Sequence, residues 1–366
     1  MAHVAFVIPG DIGLPTGGYA YDRRVLALLP RSGVTVEHLA LPGSFPQPGT
    51  ADLDMTAKRL AAVPADTVLL IDGLAYGAMP ARVIDTIRGR IIALVHHPLC
   101  LEAGTSKTRQ AELRQLETAA LARAARVIVT SNATARTLVA EFAVPADRIT
   151  VAEPGTDPAP RARGSFDAKA ISLGASPASQ PDARVPLQLL AVGSIIPRKG
   201  YDILIDALAP LRALPWQLDI AGAPDLSPQT TREILSLIET HKIADRIRLL
   251  GAVEPERLAE LYDRADLFVM ASHYEGFGMV LTEALARGLP IVCTVGGAAA
   301  DTLPDEAALK CQPGDARGLM WPLGRLIEDK SLRARYADAA WAAAQSLPRW
   351  PDTAQRVAYV IKEVAA

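Results

Sequence analysis

The chain has 366 residues, a length that accommodates two domains of ordinary size, each with its own core. Half of it is apolar, which excludes disorder as the dominant state, and 38 Lys and Arg against 40 Asp and Glu leave a net charge of −2, which excludes a general attraction to nucleic acid or acidic membranes. Aromatic residues make up only 5%, so the cores must be filled by Ala, Leu, Ile and Val, a composition suited to helices packed on parallel strands.

A first strand is predicted at residues 4–8, with no basic flank or secretory pattern before it. Apolar runs stay below the roughly 18 residues that a membrane span needs. The expectation is a soluble, cytoplasmic protein. The strand runs into a loop ending at Gly17-Gly18, after which a helix is predicted to begin near Tyr19. Two glycines at a helix entrance let backbone N–H groups approach a phosphate closely, although the same pair serves equally as turn punctuation.

Further β-branched runs follow at 35–39, 67–71, 91–95, 127–130 and 149–152, alternating with Ala/Leu helical patterns, so six strands of one Rossmann-like sheet are expected. Asp52-Leu53-Asp54 has a DxD spacing but reads as helix-capping acid in a loop ahead of a helix. His96-His97-Pro98 follows the fourth strand, where ligands of such sheets bind, and lacks the third partner a metal would need. The stretch 105–126 carries Lys107, Arg109, Arg114, Arg123 and Arg126, interrupted by Glu112 and Glu117. It reads as a solvated helix, with peripheral membrane contact as the other reading. Cys100, Cys293 and Cys311 lack CxxC spacing and read as small buried hydrophobes.

Periodicity fails from Thr156 to Pro186, and 159–186 is assigned as a linker between a first domain, 1–158, and a second, 187–345. The second domain repeats the strand and helix alternation with strands at 187–192, 217–221, 247–250, 267–270, 291–293 and 308–310. Its first strand leads into Val192-Gly193-Ser194-Ile195-Ile196-Pro197-Arg198-Lys199-Gly200, where two adjacent cations at a helix start can neutralise a diphosphate. Its fourth leads into Glu275-Gly276-Phe277-Gly278-Met279, followed by a helix that carries Glu283. Carboxylates accept two hydrogen bonds at once and so suit vicinal hydroxyls, whereas they repel phosphate. Residues 346–366, with Trp350, Ala354, Val357, Tyr359, Val360 and Val364 as an apolar stripe, are expected to form a final helix crossing back to the first domain.

These blocks resemble the retaining GT-B glycosyltransferases of family 4. Glu275 to Glu283 is similar to that family's E-x7-E motif, Val192 to Gly200 to its VGR-x4-KG loop, Gly17-Gly18 to its N-terminal glycine pair, and Pro154-Gly155-Thr156-Asp157 to its PGxD element. Gly296-Gly297 with Asp301 resembles its glycines and acid after a strand. The resemblance implies an α/β GT-B fold, two Rossmann-like parallel-sheet domains facing a cleft. It implies retaining hexosyl transfer from a UDP-, GDP- or ADP-sugar to a hydroxyl acceptor (glycan, lipid-linked or small-molecule), as in polysaccharide biosynthesis, with no cofactor and no metal.

By the same resemblance Glu275, Lys199 and His96 are the catalytic residues. The donor would be held by Arg198, Lys199, Glu275, Phe277, Gly278, Met279, Glu283 and Gly18. One departure is visible: Ser194 stands where the family has arginine, so either Arg198 supplies the second cation or the diphosphate is held less tightly. The alternatives are a non-catalytic or epimerase-type GT-B protein that binds a nucleotide sugar. A hydrolase built on Glu275 and Glu283 is disfavoured by their spacing along the chain and leaves Arg198-Lys199 unexplained.

Overall fold

A computed structural model describes residues 2–102, 104–165 and 186–366. Most of the linker expected at 159–186 lies outside the described residues. Met1–Gly155 together with Pro348–Ala366 forms one compact unit and Thr156–Leu347 the other. The divisions thus fall at Gly155 and Leu347 rather than at 158 and 345.

The first unit is built on β1 (Ala2–Pro9), β2 (Val34–Leu41), β3 (Val68–Asp72), β4 (Ile91–Val95), β5 (Arg126–Val129) and β6 (Ile149–Val151). They pair in the order β2-β1-β3-β4-β5-β6, every pair parallel. All five residues of β3 and of β4 are buried, as central strands covered by helices on both faces must be, whereas half of edge strand β2 is exposed. The order reverses at β1, so the crevice beyond the carboxyl ends of β1 and β3 is the place the topology reserves for a ligand.

The second unit repeats the plan with β7 (Leu187–Val192), β8 (Trp216–Ala221), β9 (Ile247–Gly251), β10 (Leu267–Met270), β11 (Ile291–Thr294) and β12 (Ala308–Cys311). Their order is β12-β11-β10-β7-β8-β9, again all parallel. Here the reversal lies between β7 and β10. The loops after those two strands carry Arg198-Lys199 and Glu275, so the topology alone brings the two motifs side by side.

Four local expectations change. Gly17 and Gly18 are the first residues of the helix Gly17–Leu28, whose N-cap Thr16 accepts a hydrogen bond from the Tyr19 N–H; they are not loop residues ahead of it. Asp52 lies inside the first turn of the helix Thr50–Ala61 and accepts from the Ser44 hydroxyl at 2.7 Å. The helix Lys107–Arg123 is not uniformly solvated, because Glu117 points into the core. Tyr359 is 66% exposed, off the apolar stripe of the C-terminal helix Trp350–Ala365.

That helix belongs to the first unit and buries Trp350, Ala354, Val357, Val360, Ile361 and Val364. The basic side chains of 105–126 are largely engaged within the first unit: Arg109 with Glu112 at 3.2 Å, Arg114 with Glu141 at 2.8 Å, Arg123 with Asp85 at 2.9 Å and Arg126 with Glu363 at 3.1 Å. Among the described residues no helix is long and apolar enough to cross a membrane. All three cysteines are buried and free.

Candidate donor-sugar site

In the second unit β7 ends in a single 3-10 turn, Pro197–Lys199, closed by Gly200 at φ 60°. A Cβ on Gly200 would stand 2.2 Å from the Ala271 carbonyl oxygen, so only glycine lets this turn lie against the chain leaving β10. The contact is fixed from both sides, since the His273 N–H donates to the Arg198 carbonyl at 2.8 Å. The next residues past β10, Ser272 to Glu275, are thereby held against the two cations.

Glu275 is the centre of the resulting cluster. Its Oε1 accepts from Lys199 Nζ at 2.6 Å and from Ser272 Oγ at 2.6 Å, while its Oε2 lies 3.5 Å from Arg198 Nη1. The Arg198 guanidinium also donates to the Tyr274 carbonyl at 2.9 Å. On the backbone side, the Glu275 N–H donates to Gly296 O and its carbonyl accepts from Ala298 N–H, tying the loop to the strand end of β11. The side chains of Glu275, Lys199 and Arg198 are 8%, 14% and 15% exposed. Burial works to raise the Glu275 carboxyl, but the Lys199 and Arg198 charges outweigh it and, with the hydrogen bonds from Lys199 and Ser272, hold it down to about 2. The carboxylate is therefore ionised at every ordinary pH.

Gly278, at φ 88°, turns the chain into the helix Met279–Ala286. Phe277, just ahead, is pinned by Thr302 Oγ1, which donates to its carbonyl at 2.8 Å. Phe277, Gly278 and Met279 thus form a fixed entrance whose first N–H groups face out of the helix end. Glu283 sits deeper in this helix and has a partner that the sequence did not announce: the Tyr262 hydroxyl donates to its Oε2 at 2.8 Å. Burial raises the Glu283 carboxyl against the pull of that hydrogen bond, and the charge of Asp157 raises it further.

The first unit holds Gly18 and His96 together. A Cβ on Gly18 would meet His96 Cδ2 at 3.4 Å. The sequence placed this histidine at a strand end but missed its neighbours: His96 Nε2 lies 3.2 Å from Asp22 Oδ1 and 3.2 Å from Asp72 Oδ2, and both carboxylates are buried. Asp72 was findable as the last residue of an apolar strand. Asp22 could have been found only from its place on the buried face of the helix Gly17–Leu28. Burial lowers the His96 imidazole, but the Asp22 and Asp72 carboxylates outweigh it and push it up to about 10.

The structure therefore brings Arg198, Lys199 and Glu275 into one cluster, places Phe277 to Met279 and Glu283 along the adjoining helix, and sets His96 and Gly18 in the other unit. Ser194 has no charge to add. The glutamates and the cations were expected to serve separate parts of a ligand, whereas here Lys199 and Arg198 pair with Glu275 itself.

The family model of the glycosyl transferases group 1 matches residues 178–342, and that of the glycosyl transferase 4-like domain matches residues 3–155. The mannosylfructose-phosphate synthase of Agrobacterium fabrum is 32% identical over 181 residues, 48% of this chain and 40% of its own length. A D-inositol 3-phosphate glycosyltransferase of Acidothermus cellulolyticus is 30% identical over 257 residues, 67% of this chain and 55% of its own. The chain spans about half the length of the curated relatives it matches.

Among solved structures, a sucrose-phosphate synthase from Thermosynechococcus elongatus superposes with a TM-score of 0.81 at 21% identity, covering 99% of both chains. Anabaena HepE, solved in complex with UDP and glucose, gives 0.76 at 19% identity over 99% of this chain and 100% of its own. With one family model on each half, and the same two-sheet fold over nearly the whole length, the protein belongs to the GT-B glycosyltransferases of family 4, the glycosyl transferases group 1.

Proposed function

We propose that the protein is a retaining hexosyltransferase that takes its sugar from a nucleoside diphosphate sugar and passes it to a hydroxyl acceptor without a divalent metal. The observation that carries this reading is the buried cluster of Lys199, Arg198 and Glu275 on the loops after β7 and β10. A diphosphate needs cations, and a desolvated ammonium and guanidinium in a low-dielectric setting stabilise its charge far better than exposed ones. Arg198 takes the place of the missing arginine at Ser194, since its guanidinium already reaches the same carboxylate as Lys199. Without donor, Glu275 keeps both cations in place; with donor, they turn to the diphosphate, and the carboxylate is left to accept hydrogen bonds from the hexose hydroxyls.

In the transfer, the bond between the anomeric carbon and the β-phosphate oxygen breaks and a bond from that carbon to the acceptor oxygen forms on the same face. The acceptor proton goes to the departing diphosphate. Lys199, Arg198 and the N–H groups at Phe277 to Met279 stabilise charge developing on the leaving group. Glu283, its Oε2 held by Tyr262, accepts from the ribose hydroxyls, Gly18 lets backbone approach the phosphate, and His96 serves the sugar or the acceptor. The nucleotide is UDP, GDP or ADP, with UDP favoured by the complex of HepE. The acceptor is a glycan, a lipid-linked sugar or a small molecule.

The test is calorimetric binding of UDP, GDP and ADP, followed by nucleotide diphosphate release from the matching hexose donors with an acceptor panel. One nucleotide is expected to bind, with Lys199→Ala weakening it at least about tenfold, the effect of one lost charged contact. Glu275→Gln should lower kcat about a hundredfold or more. Activity should persist in EDTA; loss restored by Mn²⁺ would sink the metal-free mechanism. If no nucleotide binds, or Lys199→Ala binds as the wild type does, the donor site is misassigned.

A further inference from the structure

In the first unit two buried carboxylates and a half-buried imidazole, from three elements, meet at one ring nitrogen. Asp22 comes from the helix Gly17–Leu28, Asp72 from the end of β3 and His96 from the residue after β4. The ring's Nε2 lies 3.2 Å from an oxygen of each carboxylate. The backbone of His96 is pinned as well, its carbonyl accepting from Thr130 Oγ1 at 3.2 Å and Thr134 Oγ1 at 3.4 Å. Tyr21 stands edge-on to the ring at 5.3 Å, with its own hydroxyl donating to Ala152 O at 3.0 Å.

No group among the described residues bonds Nδ1 of His96, and the side chain is 19% exposed. Asp72 Oδ1 is satisfied by the Leu74 N–H at 2.6 Å. Asp22 Oδ2 is buried with no donor in reach.

We propose that Asp22 is a positioning residue for His96: with Asp72 it brackets the ring's Nε2–H and shares a proton with the Asp72 carboxylate, so that the imidazole stands fixed and cationic with Nδ1–H as its only outward polar atom. The charge count favours it. One imidazolium compensates one buried carboxylate, and two ionised carboxylates on the same N–H, out of water, repel each other. Placing the second proton on Asp22, whose Oδ2 accepts from no donor, removes one of the two like charges and leaves the cluster neutral.

The proton affinities of the two acids move accordingly. Asp22 is raised by burial and by the Asp72 charge against the pull of His96, while Asp72, despite burial, is lowered by its bonds to His96, Asp22 and Leu74 N–H. Facing the same cluster are Tyr19, whose hydroxyl donates to Pro9 O at 2.7 Å and is raised by burial and the nearby acids, Tyr21, raised by burial, and Asp11 beyond Tyr19. None of these adds a second positive charge. The catalytic consequence, a charge-assisted hydrogen bond from Nδ1 to a substrate oxygen, rests on the transferase reading above.

The test begins without substrate. A proton NMR titration of the full chain, with the His96 resonance identified by its loss in His96→Gln, is expected to show the ring charged to about pH 9 or beyond. In Asp22→Ala its midpoint should fall by at least about one pH unit, and Asp22→Asn should recover part of that fall because the amide can still accept from Nε2 and donate to Asp72.

With donor and acceptor, Asp22→Ala should lose at least roughly tenfold in kcat while UDP affinity, carried by Lys199, Arg198 and Glu283, is unchanged. Asp22→Asn should restore most of kcat and lose the alkaline decline that ionisation of Asp22 gives the wild type. A wild-type His96 that titrates near the ordinary imidazole value overturns the proposal, as does a titration that neither variant moves. If the chain binds no nucleotide and transfers nothing while His96 titrates as expected, the transferase reading falls and the positioning role stands.

Discussion

Three glutamates show how far burial and partners divide one residue type. Glu275 is held ionised down to about 2 by its two cations, Glu283 is raised by burial, and Glu117, in the helix Lys107–Arg123, is pushed up to about 8 because burial outweighs its hydrogen bond from Leu99 N–H and the Arg114 charge. Glu117 accepts that bond at 3.0 Å through Oε2, while Oε1 is buried without a partner. In the folded chain it is therefore protonated at neutral pH. Its folded value lies above the ordinary 4.5, so the folded state holds a proton that the unfolded state releases, and stability falls as pH rises from 4.5 to about 8. Glu117→Gln keeps the acceptor for Leu99 and has nothing to ionise. Urea unfolding should show the variant gaining on the wild type by about 2–4 kcal/mol between pH 5 and pH 9, since each tenfold difference in proton affinity between the folded and unfolded states is worth about 1.4 kcal/mol. An equal difference at both pH values would show that Glu117 is ionised in the fold. None of this was legible in the sequence, where Glu117 reads as an interruption in a basic helix face. Charge patterns report residue type, and here what matters is that the carboxyl points inward.

At the scale of elements the sequence was far more legible. All twelve strands lie within a residue or two of their β-branched runs, because a strand covered on both faces must be apolar almost throughout, and that is visible without a structure. The motif loops were legible for the same reason: each follows a strand. What was not legible is how closely those loops abut, which depends on backbone contacts between segments some 70 residues apart. Gly200 is the clearest case, combining φ 60° with the Ala271 carbonyl 2.2 Å from where a Cβ would stand. Gly251 offers a comparison, since it has φ 71° but open space around it. Gly251→Ala should cost only about 1–2 kcal/mol, the left-handed penalty alone. Gly200→Ala should cost about 1–3 kcal/mol more from overlap with backbone that cannot swing aside, and should also displace Arg198 and Lys199. Thermal unfolding and nucleotide binding together decide it. If the two variants match in both, the close approach of the β7 and β10 loops does not set the cation geometry.

On the scale of the whole molecule, the chain closes its first unit with its last residues. Trp350 packs edge-on to Tyr21 at 5.9 Å, and Tyr21 in turn meets the His96 ring at 5.3 Å, so the C-terminal helix stands two contacts away from the strand-end histidine. The junction leaves no room for substitution at Gly155, where a Cβ would fall 2.1 Å from Trp350 N. Thr353 Oγ1 donates to Glu153 O at 2.7 Å and Lys362 Nζ to Ser32 O at 2.7 Å, fastening the helix at several points along its length. The apolar stripe of this helix was legible in the sequence, but its partners were not, because periodicity shows that a face must be covered without showing by what. Removing residues 348–366 therefore exposes the β1 side of the first unit and takes away the support of Tyr21. Each fully buried large side chain lost costs about 2–5 kcal/mol, so the loss of several exceeds the stability of an ordinary domain. The second unit, Thr156–Leu347, keeps its own two-sided core. Hydrogen exchange on the truncated chain should accordingly show protection lost across β1 to β6 and kept across β7 to β12, with UDP still binding through Lys199 and Arg198. Uniform loss of protection in both sheets would mean that the two units do not fold independently, and unchanged protection in β1 to β6 would mean that the first unit is complete without its final helix.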